Sequence, residues 1–115
     1  MANLTGFQTD RAGLYAVKDP DANIQYGLDF TDYLNSGDSI TSASCSIESI
    51  AGDSDPLAFP TNQATDVYVT GGVLVNVRVE GGSVGNIYTL KITIVTTQGD
   101  TDARSFRIKI AEKVL

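Results

Sequence analysis

The sequence has no histidine and no tryptophan, and it holds only one cysteine, one methionine and three prolines in 115 residues. Without histidine, neither a Ser-His-Asp triad nor a Cys-His pair can be assembled, and zinc and iron centres lose their commonest ligand. Cys45 stands alone, which removes an intrachain disulfide and any cysteine-rich zinc site, so the fold must rest on packing. Positive charge is also scarce: eight Lys and Arg face 14 Asp and Glu, a formal net charge of −6. Nonspecific nucleic-acid affinity comes from clustered Lys and Arg, so DNA, RNA and anionic membranes are poor partners. Met1 to Asp10 carries neither the basic start nor the apolar run of a secretory signal, and no stretch approaches a membrane span. The expectation is a protein made in the cytoplasm that reaches its destination folded.

What the chain does have is glycine, 11 in all, and apolar residues at 42%, the content of a folded single domain. The charges are scattered rather than blocked, which suits a solvated surface better than an interaction tail. The organising stretch runs from Glu80 to Ile94. Tyr88, Leu90, Ile92 and Ile94 fall on one side of a strand with period two, and Thr89, Lys91 and Thr93 on the other. The even-numbered side is the predicted core face. A glycine-rich turn through Gly82 and Gly85 leads into it, and Tyr88 is the candidate for a structural corner whose hydroxyl bonds back to the preceding turn, as in immunoglobulin-like sandwiches. No Gly-Lys-Ser/Thr follows these glycines and a strand comes next, so they form a corner and no phosphate loop.

The N-terminal 17 residues fit neither period. Leu4, Phe7, Leu14, Tyr15 and Val17 are apolar, with Gly6 and Gly13 between them. The choice is between a loosely packed tail and an arm that docks on a neighbouring subunit, and the apolar side chains favour the arm, with Leu4, Phe7, Leu14 and Tyr15 as its partner-binding residues. Lys18-Asp19-Pro20-Asp21 opens the domain proper, residues 18–115, because Pro20 bars a helix interior and extends Asp19. Ile24, Tyr26, Leu28 and Phe30 alternate as a first strand. Asp19, Asp21 and Asn23 imitate the start of a calcium loop, but Ile24 stands where glycine is needed and Phe30 where the bidentate Glu belongs.

Ser39 to Ile50 reads as a second strand with Ile40, Cys45 and Ile47 inward and Ser42, Ser44 and Ser46 on a solvated face, where no base could activate a serine. Asp53 with Asp55, and Asp100 with Asp102, are loop carboxylate pairs without further ligands in sequence, better read as solvated than as metal sites. Val67 and Val69, then Val73, Val75, Val77 and Val79, alternate on either side of Gly71-Gly72, a hairpin signal. Phe106, Ile108 and Ile110 form the last strand after a turn at Thr97 to Asp102. The count comes to about seven short strands and no amphipathic helix, an all-β, immunoglobulin-like antiparallel β-sandwich with an extended N-terminal arm.

Several of these runs together carry a resemblance. Lys18-Asp19-Pro20-Asp21, Tyr26-Gly27-Leu28-Asp29-Phe30-Thr31-Asp32-Tyr33-Leu34, Gly37-Asp38-Ser39-Ile40, Gly82-Ser83-Val84-Gly85-Asn86-Ile87-Tyr88, Thr97-Gln98-Gly99-Asp100 and Arg104-Ser105-Phe106-Arg107-Ile108 resemble, in that order, the small tailed-phage virion proteins called fiber-tail adaptors. The likeness spans Lys18 to Ile110. Phe30 and Tyr33 stand where that family often has tryptophan, Cys45 lies near another such position, and Asp100 follows Gly99 where arginine is usual. The arm lies outside the match.

The resemblance implies a non-enzymatic virion component without a cofactor or a metal, attaching tail fibers to the tail or head-tail connector. Its partners would be other phage structural proteins, met in a symmetric multi-copy assembly in the tail or collar region after synthesis in the host cytoplasm. Two other readings stay open at this point: a capsid decoration or cement protein, and a carbohydrate- or host-binding module, which the absence of tryptophan disfavours.

Overall fold

The computed structural model describes residues 7–114. Strands dominate it: β1 (Phe7–Asp10), β2 (Gly13–Lys18), β3 (Ile24–Asp29), β4 (Ile40–Ile47), β5 (Val67–Thr70), β6 (Leu74–Val79), β7 (Ile87–Thr96) and β8 (Thr101–Ile110), with a 3-10 turn at Thr31–Tyr33 and one short helix, α1 (Gln63–Asp66). They form two sheets, a five-stranded one in the order β1-β2-β8-β7-β4 and a three-stranded one in the order β3-β6-β5. Among the described residues β2 and β8 are the one parallel pair, with Tyr15 opposite Arg107 and Lys18 opposite Ile110. The molecule is an all-β sandwich.

The core sits where the period-two pattern puts it. Tyr88, Leu90, Ile92 and Ile94 of β7, Val75, Val77 and Val79 of β6, and Phe106, Ile108 and Ile110 of β8 are all buried and belong to one apolar cluster. Each fully buried Val, Leu, Ile or Phe stabilises such a sandwich by about 1.5–3 kcal/mol, so these inner faces dominate the energetics. In β4 the buried residues Ile40 and Cys45 are separated by an odd number of positions, which a regular strand would place on opposite faces. A register shift between Ile40 and Ser42 against β7 inserts the extra residue that brings both inward, while Ser42, Ser44 and Ser46 stay exposed.

Three sequence expectations change. The stretch read as an arm is, from Phe7 onward, a hairpin: β1 pairs with β2, and β2 lies along β8, with Ala16 fully buried. Its four- and six-residue strands are too short for a period to stand out, and β2 is recognisable only through the partner it pairs with 92 residues later. Among the described residues the total is therefore eight strands. Second, Val73 is in the link and not in β6. Thr70 pairs with Leu74, and the carbonyls of Gly72 and Val73 are taken by the N–H groups of Ile40 (2.8 Å) and Phe30 (2.8 Å), which hold that turn to the ends of other strands. Third, a short helix precedes β5 where the strand count held none: Asp66 ends α1, and its carboxylate accepts from the N–H groups of Thr61 (2.7 Å) and Asn62 (3.0 Å).

Candidate functional site

At one end of the sandwich, the glycine-rich turn, the loop at Gly52 to Pro56 and the Lys18-Asp19-Pro20-Asp21 opening form one hydrogen-bonded unit. Tyr88, only 1% exposed, brings its hydroxyl to the centre. That hydroxyl donates to the Asp53 carboxylate and accepts from the Ser83 N–H (3.2 Å) and the Asn86 side-chain amide (3.3 Å). Asp53 also accepts from the Ser83 hydroxyl (2.6 Å) and the Asp55 N–H (3.1 Å). These donors, the Ser83 hydroxyl first and Tyr88 next, hold the Asp53 carboxyl below the usual carboxylate range. Gly82 has φ of +100°, and a Cβ there would come within 2.6 Å of Ile110 Cδ1, so the turn needs glycine both for its backbone and for its space.

Lys18 closes the unit. It is 1% exposed, and its ammonium donates to the carbonyls of Gly81 (2.7 Å) and Asp19 (2.8 Å). Burial pushes its pKa below the ordinary lysine value, against the opposing pull of the Asp19, Asp55, Asp21 and Glu80 carboxylates. Asp19 in turn accepts from the N–H groups of Asp21 (2.9 Å) and Lys113 (3.1 Å). Sequence reasoning named Tyr88, Gly82 and Gly85 for this corner but missed Asp53 and Lys18. A buried tyrosine hydroxyl needs a partner, so an acidic loop was a signal for Asp53; nothing local marks Lys18 as buried.

The proposed partner-binding residues do not share a face. Phe7 turns inward, its ring 5.3 Å from Tyr26 and edge-on to Phe106 at 5.9 Å, and so closes the open side of the sandwich between β1 and β3. Leu14 packs on the same side against the core. Tyr15 lies on the outer face of the five-stranded sheet, with the Lys109 ammonium 4.1 Å from its ring centroid, Arg107 at 5.4 Å, and its hydroxyl donating to Gln8 (3.0 Å). Arg107 donates to both oxygens of Asp10 and to the Gly13 carbonyl (3.0 Å), and this holds the Asp10 carboxyl low. Leu4 lies outside the described residues.

Toward the other end, a cavity of about 260 Å³ opens between the sheets beside the C-terminal end of β3. Leu14, Leu28, Phe30, Ile92 and Phe106 line it, and Arg104 stands at its mouth, 4.2 Å over the Tyr33 ring and 3.2 Å from Asp102. The neighbouring Asp38 carboxyl is held low, chiefly by the Thr97 hydroxyl (2.6 Å).

Burial pushes the Cys45 thiol up to about 12, far from a reactive thiolate. The shifted carboxyls are lowered by local donors, opposite to the raised carboxyl that general-acid catalysis uses. Among the described residues no group of three or more His, Cys, Asp or Glu could hold a metal ion, and no helix is long and apolar enough to cross a membrane.

A family model described as podophage GP4 fiber-tail adaptor protein gp77 matches residues 18–109, which run from the buried Lys18 through the Tyr88 corner almost to the end of β8. No curated protein matches the chain. The matched family agrees with the one that the ordered motifs resemble.

Proposed function

This chain belongs to the podophage fiber-tail adaptor family, and from that premise we propose that it is a non-catalytic part of the virion that attaches tail fibers to the tail or head-tail connector. The match over residues 18–109 carries the reading. It takes in β3 to β7, nearly all of β8 and the hydrogen-bonded corner, and leaves out β1 and most of β2. In this reading the immunoglobulin-like body is a rigid spacer, present in several symmetric copies in the tail or collar region. Its grips are strand edges, loop ends and the N-terminal stretch, where Leu4, Leu14 and Tyr15 remain contacts while Phe7 is spent on the core. Tyr15 is the contact best placed, since its ring faces outward between two cations. Many modest contacts repeated by symmetry give firm attachment without a deep pocket.

Cryo-electron microscopy of the intact particle tests this. Density for the chain where fibers meet the tail is the expected result. Density confined to the capsid lattice would replace the adaptor with a decoration protein.

A further inference from the structure

β8 is longer than the strand beside it. β7 accompanies it from Thr101 to Lys109, but β2 pairs only with Arg107 to Ile110. Among the described residues, Thr101 to Ser105 thus have a strand on one side only. The Ala111 N–H donates to Lys18 of β2's end (3.0 Å), and alternation then directs the backbone groups of Ser105 and Ala103 to that same open side. The Ala103 N–H is turned to its own Asp102 carboxylate at 2.9 Å, a local cap that a ladder could displace. Ser105 has no such cap among its hydrogen bonds with the described residues. Directly inside this edge lies the cavity of about 260 Å³ lined by Leu14, Leu28, Phe30, Ile92 and Phe106.

A backbone edge without a strand partner among the described residues and an apolar hole at one level specify a ligand more closely than either does alone. The edge takes an extended main chain, and the hole takes one side chain from it. We propose that an extended segment of another tail protein adds as a strand along Ala103 to Ser105, continuing the line that β2 leaves at Tyr15, and seats one aliphatic or aromatic side chain among Leu14, Phe30 and Phe106. The occupant is a strand because the same edge of β8 already accepts one in β2. Asp29 and Arg104 both line the cavity, so its rim carries charge of both signs and suits polar, uncharged residues beside the anchor. This rests on the adaptor reading, since it names the kind of segment that the adaptor holds.

The test uses whole particles assembled with full-length chain carrying a photo-crosslinking benzoylphenylalanine in place of Arg104, at the cavity mouth, or of Ser44, on the exposed face of β4. The expected result is a crosslink from position 104, and none from position 44, to one segment of a different tail protein identified by mass spectrometry. Crosslinks from 104 to residues 1–6 of the same chain, to a second copy, or to nothing would each overturn the proposal. Ser105→Pro, which removes an outward N–H, and Leu14→Trp, which fills the cavity from β2, should each lower fiber occupancy at least tenfold. Two variants are used because proline alone could weaken the fold; if either melts near wild type and keeps full occupancy, the strand is not there. Should unmodified chain be missing from the fiber-tail junction, the adaptor reading fails; if it is present there without a crosslink from 104, only the strand proposal fails.

Discussion

The hydroxyl of Tyr88 and the carboxylate of Asp53, 35 residues apart in sequence, are hydrogen-bonded inside the corner of the sandwich. This pair joins the start of β7 to a loop that has no strand of its own. Tyr88→Phe keeps the buried ring and removes the hydroxyl, leaving the Ser83 N–H and one carboxylate oxygen without that partner. The expected cost is about 1–3 kcal/mol, read from urea denaturation. At this chain length each kcal/mol lowers the melting temperature by roughly 4 °C. A variant as stable as the wild type would remove the hydroxyl from any structural role.

The same pair makes an acid-stability prediction. The folded Asp53 carboxyl has a lowered pKa, so between its folded and unfolded values the unfolded chain binds more protons. The contribution is therefore present above about pH 4, the unfolded value, and disappears as pH falls through the folded one. Asp53→Asn should reduce stability at neutral pH and flatten the decline below pH 4. Asp10, Asp19, Asp29 and Asp38 are lowered too, so part of the slope remains. Denaturation midpoints at several pH values check this; an unaltered slope with full neutral stability would contradict it.

Two glycines of one turn separate backbone strain from crowding. Gly82 and Gly85 have φ of +100° and +91°, but a Cβ meets Ile110 only at Gly82; at Gly85 nothing lies within 4 Å. Gly85→Ala should cost about 1–2 kcal/mol, the conformational penalty alone. Gly82→Ala should cost more, by the displacement of the Ile110 side chain, and the difference between the two melting curves measures that crowding. Equal losses would mean that Ile110 moves aside freely.

The parts of the fold legible in sequence are those whose pattern is local. β7 declared its faces through Tyr88, Leu90, Ile92 and Ile94, and all four are buried. Valines at 75, 77 and 79 did the same for β6. Where a side chain's role depends on a distant partner, the sequence was mute. β2 is defined by β8, and Lys18 by the carbonyl of Gly81. The cavity beside β8 was equally invisible, because Leu14, Leu28, Ile92 and Phe106 come from four strands and share no spacing.

Truncation distinguishes arm from sheet. Deleting residues 1–12 removes β1 and the partly buried Phe7 ring that packs on Tyr26 and Phe106, and it should cost about 1–2 kcal/mol. Deleting residues 1–17 also removes most of β2, with the fully buried Ala16, and strips the β2 partner from Arg107 to Lys109. That protein should be severely destabilised, by more than about 3 kcal/mol, or fail to fold. Near-unchanged melting of the longer deletion, followed by circular dichroism, would restore the N-terminal stretch as a detachable arm.

Lys18→Met sets two opposing effects against each other. Removing a buried ammonium relieves its desolvation, the cause of its lowered pKa, but leaves the carbonyls of Gly81 and Asp19 without their donor. Hydrogen bonds to a charged group are worth about 1.5–3 kcal/mol each, and two are lost here. Because both carbonyls anchor segments that meet at the Tyr88 corner, the loss should win, and the variant should be destabilised by about 2 kcal/mol. The wild type carries a further signature of the buried amine. Its folded pKa lies below the unfolded value of about 10.4, so the unfolded chain binds the extra proton in that window and stability rises with pH across it. Lys18→Met lacks that rise. Urea midpoints from pH 8 to 10.5 for both proteins decide the matter: parallel curves would mean that the Lys18 amine is as well solvated in the folded chain as in the unfolded one.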